Sequence, residues 1–281
     1  MIKGFICPDG QREDVGKCLS VCRLGHRCMP RPILVNMAEP KERVEGKFSV
    51  TQLIAPTRIS YLRMVNDLYV SPKSLIKSFY GKAFHSTTGS AFGCAEVLVE
   101  DDQCSGTFDL FDEGVLIDYK VWGSYRVARA LGLHSIKVIN PVTKRPNTRW
   151  VPGGEPEIQE ETLQLNRYRM LLHQRFPDLI QHSMKLFVIV KDAELQTAFS
   201  RGVTEPYYWI DIPQWDDINI WSWFEDKRLS LERAMETKTT ACCDSVENWN
   251  GNRCKYCDVA EFCNVGQAQI RIDADAESIA S

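Results

Sequence analysis

Cysteine placement is the strongest restriction on what this chain can fold into. Eleven cysteines occur in 281 residues: four lie between Cys7 and Cys28, five between Cys242 and Cys263, and Cys94 and Cys104 stand alone between them. The middle of the chain must therefore be held by an apolar core, while the two ends carry enough thiols to bind metal. No apolar stretch of about 7–15 residues follows Lys3, so no secretory signal is predicted. The longest apolar run, residues 186–190, is too short for a membrane-crossing helix. A cytoplasmic, reducing setting is expected, where clustered thiols hold metal more often than they pair, and an odd count is awkward for complete pairing.

The remaining composition is ordinary for a globular chain. With 44% hydrophobic and 25% charged residues it supports a sizeable core and excludes a wholly disordered chain, a collagen-like repeat and a coiled coil. The net charge is −3, so nucleic-acid binding would depend on a local basic surface.

Residues 1–47, punctuated by Pro8, Gly10, Gly16, Gly25, Pro30, Pro32, Pro40 and Gly46, read as irregular. Residues 49–80 read as helical pieces broken at Pro56 and Pro72. Strands are predicted over 95–99, 105–111 and 115–119, with Gly114 placed for the left-handed conformation of a hairpin loop. A helix over 125–133, loops over 140–156 and a helix over 160–176 follow, the last opened by acidic residues and stopped before Pro177. Strands over 185–191 and 207–210, a helix over 216–235 and a fraying tail after Gln267 complete the reading. This order predicts an α/β fold with a mixed central sheet flanked by helices. The expected segments are a cysteine-rich knuckle (1–47), a core (48–240), a cysteine-ligated segment (241–266) and a flexible tail (267–281).

The chemistry concentrates in Gly106-Thr-Phe-Asp109, seven intervening residues, and Ile117-Asp118-Tyr-Lys120. Side chains alternate along a strand, so Asp118 and Lys120 share one face while Ile117 and Tyr119 take the other. If the hairpin forms, Asp109 approaches Asp118, and two carboxylates and an ammonium converge. Hard oxygen ligands of this kind suit Mg²⁺ or Mn²⁺. The bland alternative is two surface aspartates and a solvated lysine beside a tight turn.

These motifs resemble the second and third motifs of the PD-(D/E)XK nucleases, in particular the RecB-like exonuclease branch. That branch also carries an upstream histidine and a downstream Gln-x-x-x-Tyr. Here Gly81-Lys-Ala-Phe-His85 precedes the hairpin, and Gln164-Leu-Asn-Arg-Tyr168 lies in a predicted helix, where a spacing of four puts both polar side chains on one face. The resemblance implies a restriction-endonuclease-like core. His85, Asp109, Asp118 and the backbone carbonyl of Tyr119 would be metal ligands and Lys120 the catalytic lysine, with Gln164 and Tyr168 steadying the site or the DNA strand. The 43 residues between Lys120 and Gln164 are longer than the family's usual connection and read as an insertion.

Cys254-x2-Cys257-x5-Cys263 is a specific thiol signal, since a CxxC bend turns two sulfurs toward one metal. It resembles the iron–sulfur subset of the same family, the CRISPR-associated exonucleases and helicase-nuclease relatives. This implies a 4Fe–4S cluster. The upstream cysteine of those relatives has no counterpart at residues 55–62, so Cys243, with Cys242 as alternative, is expected as the fourth ligand, and zinc stays open. Cys7, Cys18, Cys22 and Cys28 read as a zinc knuckle, with buried thiols as the alternative.

The expected function is thus a metal-dependent DNA exonuclease acting on single strands or ends, with no membrane association. The candidate partners act in repair, recombination or CRISPR-like processing, and Tyr125, Arg126, Arg129 and Trp150 are candidate strand contacts. The alternatives are a catalytically silent nuclease-fold adaptor for nucleic acid or protein, and a thiol-stapled regulator unrelated to nucleases.

Overall fold

The computed structural model describes residues 2–40, 44–88, 94–139, 146–247, 249 and 252–280. Along the chain run β1 (Ile2–Ile6), β2 (Arg12–Asp14), α1 (Val15–Ser20), α2 (Arg31–Ala38), β3 (Phe48–Ser49), α3 (Val50–Ile54), α4 (Thr57–Val65), β4 (Leu68–Val70) and α5 (Pro72–Thr88). Then come β5 (Ala95–Glu100), β6 (Cys104–Asp112), β7 (Val115–Trp122), α6 (Ser124–Ala130), β8 (His134–Ile139), β9 (Pro146–Val151), α7 (Gln159–Arg175), β10 (Ser183–Val190), α8 (Gln196–Ser200), β11 (Tyr207–Ile212), α9 (Asp217–Thr237) and α10 (Asn264–Ala280). The fold is mixed α/β, as expected. It divides into two compact units, Met1–Phe79 with Ser222–Ser281, and Tyr80–Trp221. Both ends of the chain thus fall in one unit, where four consecutive segments were expected.

In the first unit β1 pairs antiparallel with β2 and parallel with β4. Phe5, Cys18, Leu34 and Met37 form a small buried core, joined by Leu75, Ile76 and Phe79. The expectation of an irregular N-terminus is therefore corrected. Its strands are too short to show alternation, and Leu34 and Met37, three apart on one helix face, are hidden among prolines and glycines. Gly4 permits the close strand pairing, since a Cβ there would lie 2.3 Å from the Glu13 carbonyl oxygen. Pro56 and Pro72 sit at helix starts, where a missing N–H costs nothing. After Gln267 the chain continues as α10 rather than as the frayed tail expected.

In the second unit β11, β10, β7, β6 and β5 are successive neighbours. β7 and β10 are parallel; the other pairs are antiparallel. Glu113 (φ 47°) and Gly114 (φ 80°) make a two-residue β6–β7 turn, shorter by one residue than expected. A Cβ on Gly114 would meet the His182 ring at 2.3 Å, so space and φ both demand glycine.

α7 packs across the sheet. It buries Leu165, Leu171 and Leu172 together with Arg167, whose guanidinium reaches Asp101 Oδ2 at 2.6 Å and Gln103 Oε1 at 2.8 Å. Register places Leu116, Asp118 and Lys120 beside Met184, Leu186 and Val188 of β10, and Ile212 and Ile210 of β11 continue the same apolar rows.

The expected loop over 140–156 is corrected in part. Residues 140–145 lie outside the described residues, while β8 and β9 form an antiparallel ribbon with mostly exposed side chains. At its base Gly154 N–H donates to the Gly132 carbonyl (2.9 Å), and a Cβ on Gly132 would lie 2.5 Å from Gly154 O. Among the described residues no helix is long and apolar enough to cross a membrane.

Candidate active site

The predicted site residues of the second unit come together at the β6–β7 pair. Backbone pairing runs from Asp112↔Val115 to Leu110↔Ile117 and then stops. One residue further, the Asp109 carboxylate accepts the Tyr119 N–H (Oδ2, 2.7 Å), occupying the ladder position with a side chain. The last turn of α5 brings His85 Nδ1 to 3.3 Å from Asp109 Oδ1. The His85 ring also meets Tyr119 edge-on at 6.2 Å.

Asp118, only 2% exposed, is held by two groups of this chain. Its Oδ1 accepts from Gln164 Nε2 at 3.0 Å, and its Oδ2 lies 2.5 Å from Lys120 Nζ as an ion pair without an aligned hydrogen bond. Lys120 Nζ also donates to Gln164 Oε1 at 3.3 Å, and Gln164 Nε2 lies 3.4 Å from the Tyr168 hydroxyl. The i, i+4 spacing on α7 puts Gln164 and Tyr168 side by side beneath Asp118. One amide spans the carboxylate and the ammonium, and a buried phenol backs it.

Electrostatics set Asp109 apart. Burial pushes its carboxyl up to about 7, Asp118 adds to the rise, and His85, Lys120 and the Tyr119 N–H pull against it. The hydrogen bond to Glu96 raises His85 against the opposing effect of burial, helped by the charges of Asp109, Glu96 and Asp118. Burial alone would lower Lys120, but the Asp118 carboxylate more than offsets it and keeps the ammonium charged. Burial raises Tyr168, which stays a neutral phenol.

Glu96 on β5 is the residue that sequence reasoning missed. Its Oε1 lies 3.0 Å from His85 Nδ1. Among the described residues, His85, Glu96 and Asp109 are the one group of three or more His, Cys, Asp or Glu ligand atoms lying within 4.8 Å of one another. Asp118, expected among the metal ligands, is not part of it. The only signal for Glu96 was a charged residue interrupting Ala95, Val97 and Val99.

The candidate strand contacts divide. Arg126 is committed to Glu161, with two contacts of 2.8 Å, and lies 4.7 Å over the Trp122 ring; Arg129 pairs with Glu157. These two guanidinium groups therefore have partners within the protein. Tyr125 is exposed and meets Trp150 edge-on at 5.5 Å.

In the first unit Cys243, Cys254, Cys257 and Cys263 line one solvent-open pocket together with Arg58; Cys242 is not on its wall. The Cys257 N–H donates to the Cys254 carbonyl (3.3 Å), which makes the CxxC bend. Arg58 Nε donates to Cys263 Sγ at 3.1 Å. Burial pushes Cys243 up to about 11. For Cys263 the N–H of Gly266 and the Arg58 guanidinium outweigh burial and lower it. At the other end Cys18 belongs to the apolar core, and Cys7, Cys28 and Cys22 lie near enough to raise it further, after burial.

No family model matches this chain, and no curated protein matches it. Among solved structures, a crystal structure described as "Putative exonuclease" from Eubacterium rectale aligns over 64% of this chain and 53% of that one, at 12% identity and a TM-score of 0.28. The match spans about half of that chain's length, and at this level it assigns neither a family nor an activity.

Proposed function

We propose that this chain is a divalent-metal-dependent nuclease that hydrolyses phosphodiester bonds in DNA, at single strands or ends. The observation that supports this reading best is the juxtaposition of a carboxylate–imidazole group at Asp109 and His85 with the Asp118–Lys120–Gln164 network on adjoining strands. Side chains from α5, β6, β7 and α7 converge there, and a merely solvated face would not bury Asp109 and Asp118 together.

The donor set fits a hard divalent cation such as Mg²⁺ or Mn²⁺, with His85, Asp109, Asp118 and the Tyr119 carbonyl as proposed ligands. Once bound, such an ion supplies Lewis-acid polarisation of the phosphoryl group and a more acidic water. Lys120 keeps its proton and offers a fixed positive charge to the oxygen that gains charge during attack. Gln164 orients both partners, and Tyr168 fixes the amide from behind.

The test is degradation of labelled single- and double-stranded DNA with Mg²⁺ or Mn²⁺ by wild type, Asp118→Ala and Lys120→Ala. We expect cleavage by the wild type and a loss of at least about 10²-fold in each variant, with folding retained. Undiminished cleavage in both variants would remove the catalytic assignment. DNA binding without any cleavage by the wild type would favour the adaptor reading.

A 4Fe–4S cluster is the cofactor we propose for Cys243, Cys254, Cys257 and Cys263, supported by their sharing one pocket. Zinc fits less readily. Four thiolates on one zinc stand roughly 3.8 Å apart, given bonds of about 2.3 Å. Among the described residues neither cysteine set draws three sulfurs within 4.8 Å. Zinc at Cys7, Cys18, Cys22 and Cys28 rests on the nearness of the other three to Cys18, and it requires those sulfurs to close in.

A further inference from the structure

Glu96 and Asp109 face each other across the β5–β6 ladder. The register Ala95↔Leu110 and Val97↔Phe108 brackets the pair, and Glu96 itself takes a left-handed φ of 52°. Like charges at facing positions of an antiparallel pair repel. Here the repulsion is concentrated, because both carboxylates crowd one ring nitrogen, Glu96 Oε1 at 3.0 Å and Asp109 Oδ1 at 3.3 Å from His85 Nδ1.

One N–H can serve only one of two acceptors at a time, which leaves the other ring-facing oxygen without that donor. A divalent cation among the three atoms would satisfy all of them at once. Access is available, since the Glu96 side chain is 38% exposed while Asp109 forms the buried floor at 10%. Asp118 Oδ1 accepts from Gln164, and Oδ2 has the Lys120 ion pair but no hydrogen bond. Among the described residues Asp118 is not in the group of His85, Glu96 and Asp109 atoms that lie within 4.8 Å of one another.

We propose that Glu96 is a metal ligand which, with His85 and Asp109, holds the divalent cation, taking the place given to Asp118 in the ligand set above. The inference deepens the nuclease reading and rests on it for the use of that ion. In the free protein the imidazole then acts as a placeholder between the two carboxylates. As a ligand it presents Nδ1 as a lone pair and carries its proton on the other nitrogen.

The test is isothermal titration of the full chain with MnCl2 alone, read as affinity and stoichiometry. Wild type, Glu96→Gln, Glu96→Asn, Asp109→Asn and Asp118→Asn are compared, each checked for folding by circular dichroism. Asparagine tolerates the left-handed backbone at position 96, so that variant covers the case in which glutamine disturbs the strand. We expect both Glu96 variants and Asp109→Asn to weaken Mn²⁺ binding about tenfold or more, with a smaller change in Asp118→Asn. Affinity within twofold of wild type in both Glu96 variants, or no Mn²⁺ binding by the wild type, overturns the inference. If Mn²⁺ binding depends on Glu96 but DNA is not cleaved, the nuclease reading fails and the metal position stands. If DNA is cleaved through Asp118 and Lys120 while Glu96 is silent in the titration, only the metal position fails.

Discussion

Asp109 is where local bonding and long-range charge disagree. Its Oδ2 takes the Tyr119 N–H, which favours the ionised carboxylate, yet burial and Asp118 hold the folded pKa at about 7 against 3.8 for the free side chain. Below pH 4 both folded and unfolded chains carry the proton and there is no penalty. Between pH 4 and 7 the unfolded chain ionises first, so the metal-free fold loses stability as pH rises, and the whole penalty applies above 7. His85 adds to the same trend, because its raised folded pKa gives stability below about 6.5 that disappears at higher pH. In EDTA, therefore, wild type should melt lower at pH 8 than at pH 5. Asp109→Asn keeps an acceptor for Tyr119 and should recover on the order of 2 kcal/mol at pH 8 and less than half of that at pH 5. Thermal melts of the two proteins at both pH values decide it, and parallel behaviour would count against the buried charge.

At the scale of elements, α7 carries both the Gln164 amide and a buried ion pair, that of Arg167 with Asp101. Arg167 and the Asp101 side chain are 1% and 6% exposed, so removing the guanidinium strands a buried carboxylate. Arg167→Met should cost about 3–5 kcal/mol, and adding Asp101→Asn should restore part of that loss. Urea midpoints for the single and double variants measure it; a loss below about 1 kcal/mol would show that water reaches the pair.

The strands β5, β6, β7, β10 and β11 and the helix α7 were legible in the sequence, because alternation and an i, i+4 polar pair are local signals. That Asp118 and Lys120 share one strand face, and Gln164 and Tyr168 one helix face, was legible for the same reason; that Gln164 meets Asp118 and Lys120 was not, since it depends on how α7 lies on the sheet. Glu96 was not, because its place depends on which residue of β6 lies opposite, and no local pattern states that register. The β1–β2–β4 sheet was hidden by strands as short as three residues, and the β8–β9 ribbon by exposure on both faces, which erases alternation.

Across the whole molecule, both cysteine sets belong to the first unit and the proposed hydrolytic residues to the second. Loss of the proposed cluster should therefore appear first as loss of stability. Protein purified without oxygen should be brown and contain iron and sulfide. Cys257→Ser should be colourless and melt lower. Colourless wild-type protein with stoichiometric zinc would replace the cluster and leave the hydrolytic assignment as it stands.

The ribbon of β8 and β9 leaves its unit and returns at adjacent points, Gly132 and Gly154, joined by one backbone hydrogen bond. Its two roots already touch, so trimming or lengthening the excursion would leave no gap for the main body to bridge. That pinch makes this appendage a part of the second unit open to exchange, a place where evolution or an engineer can graft a different reach without redrawing the sheet beneath.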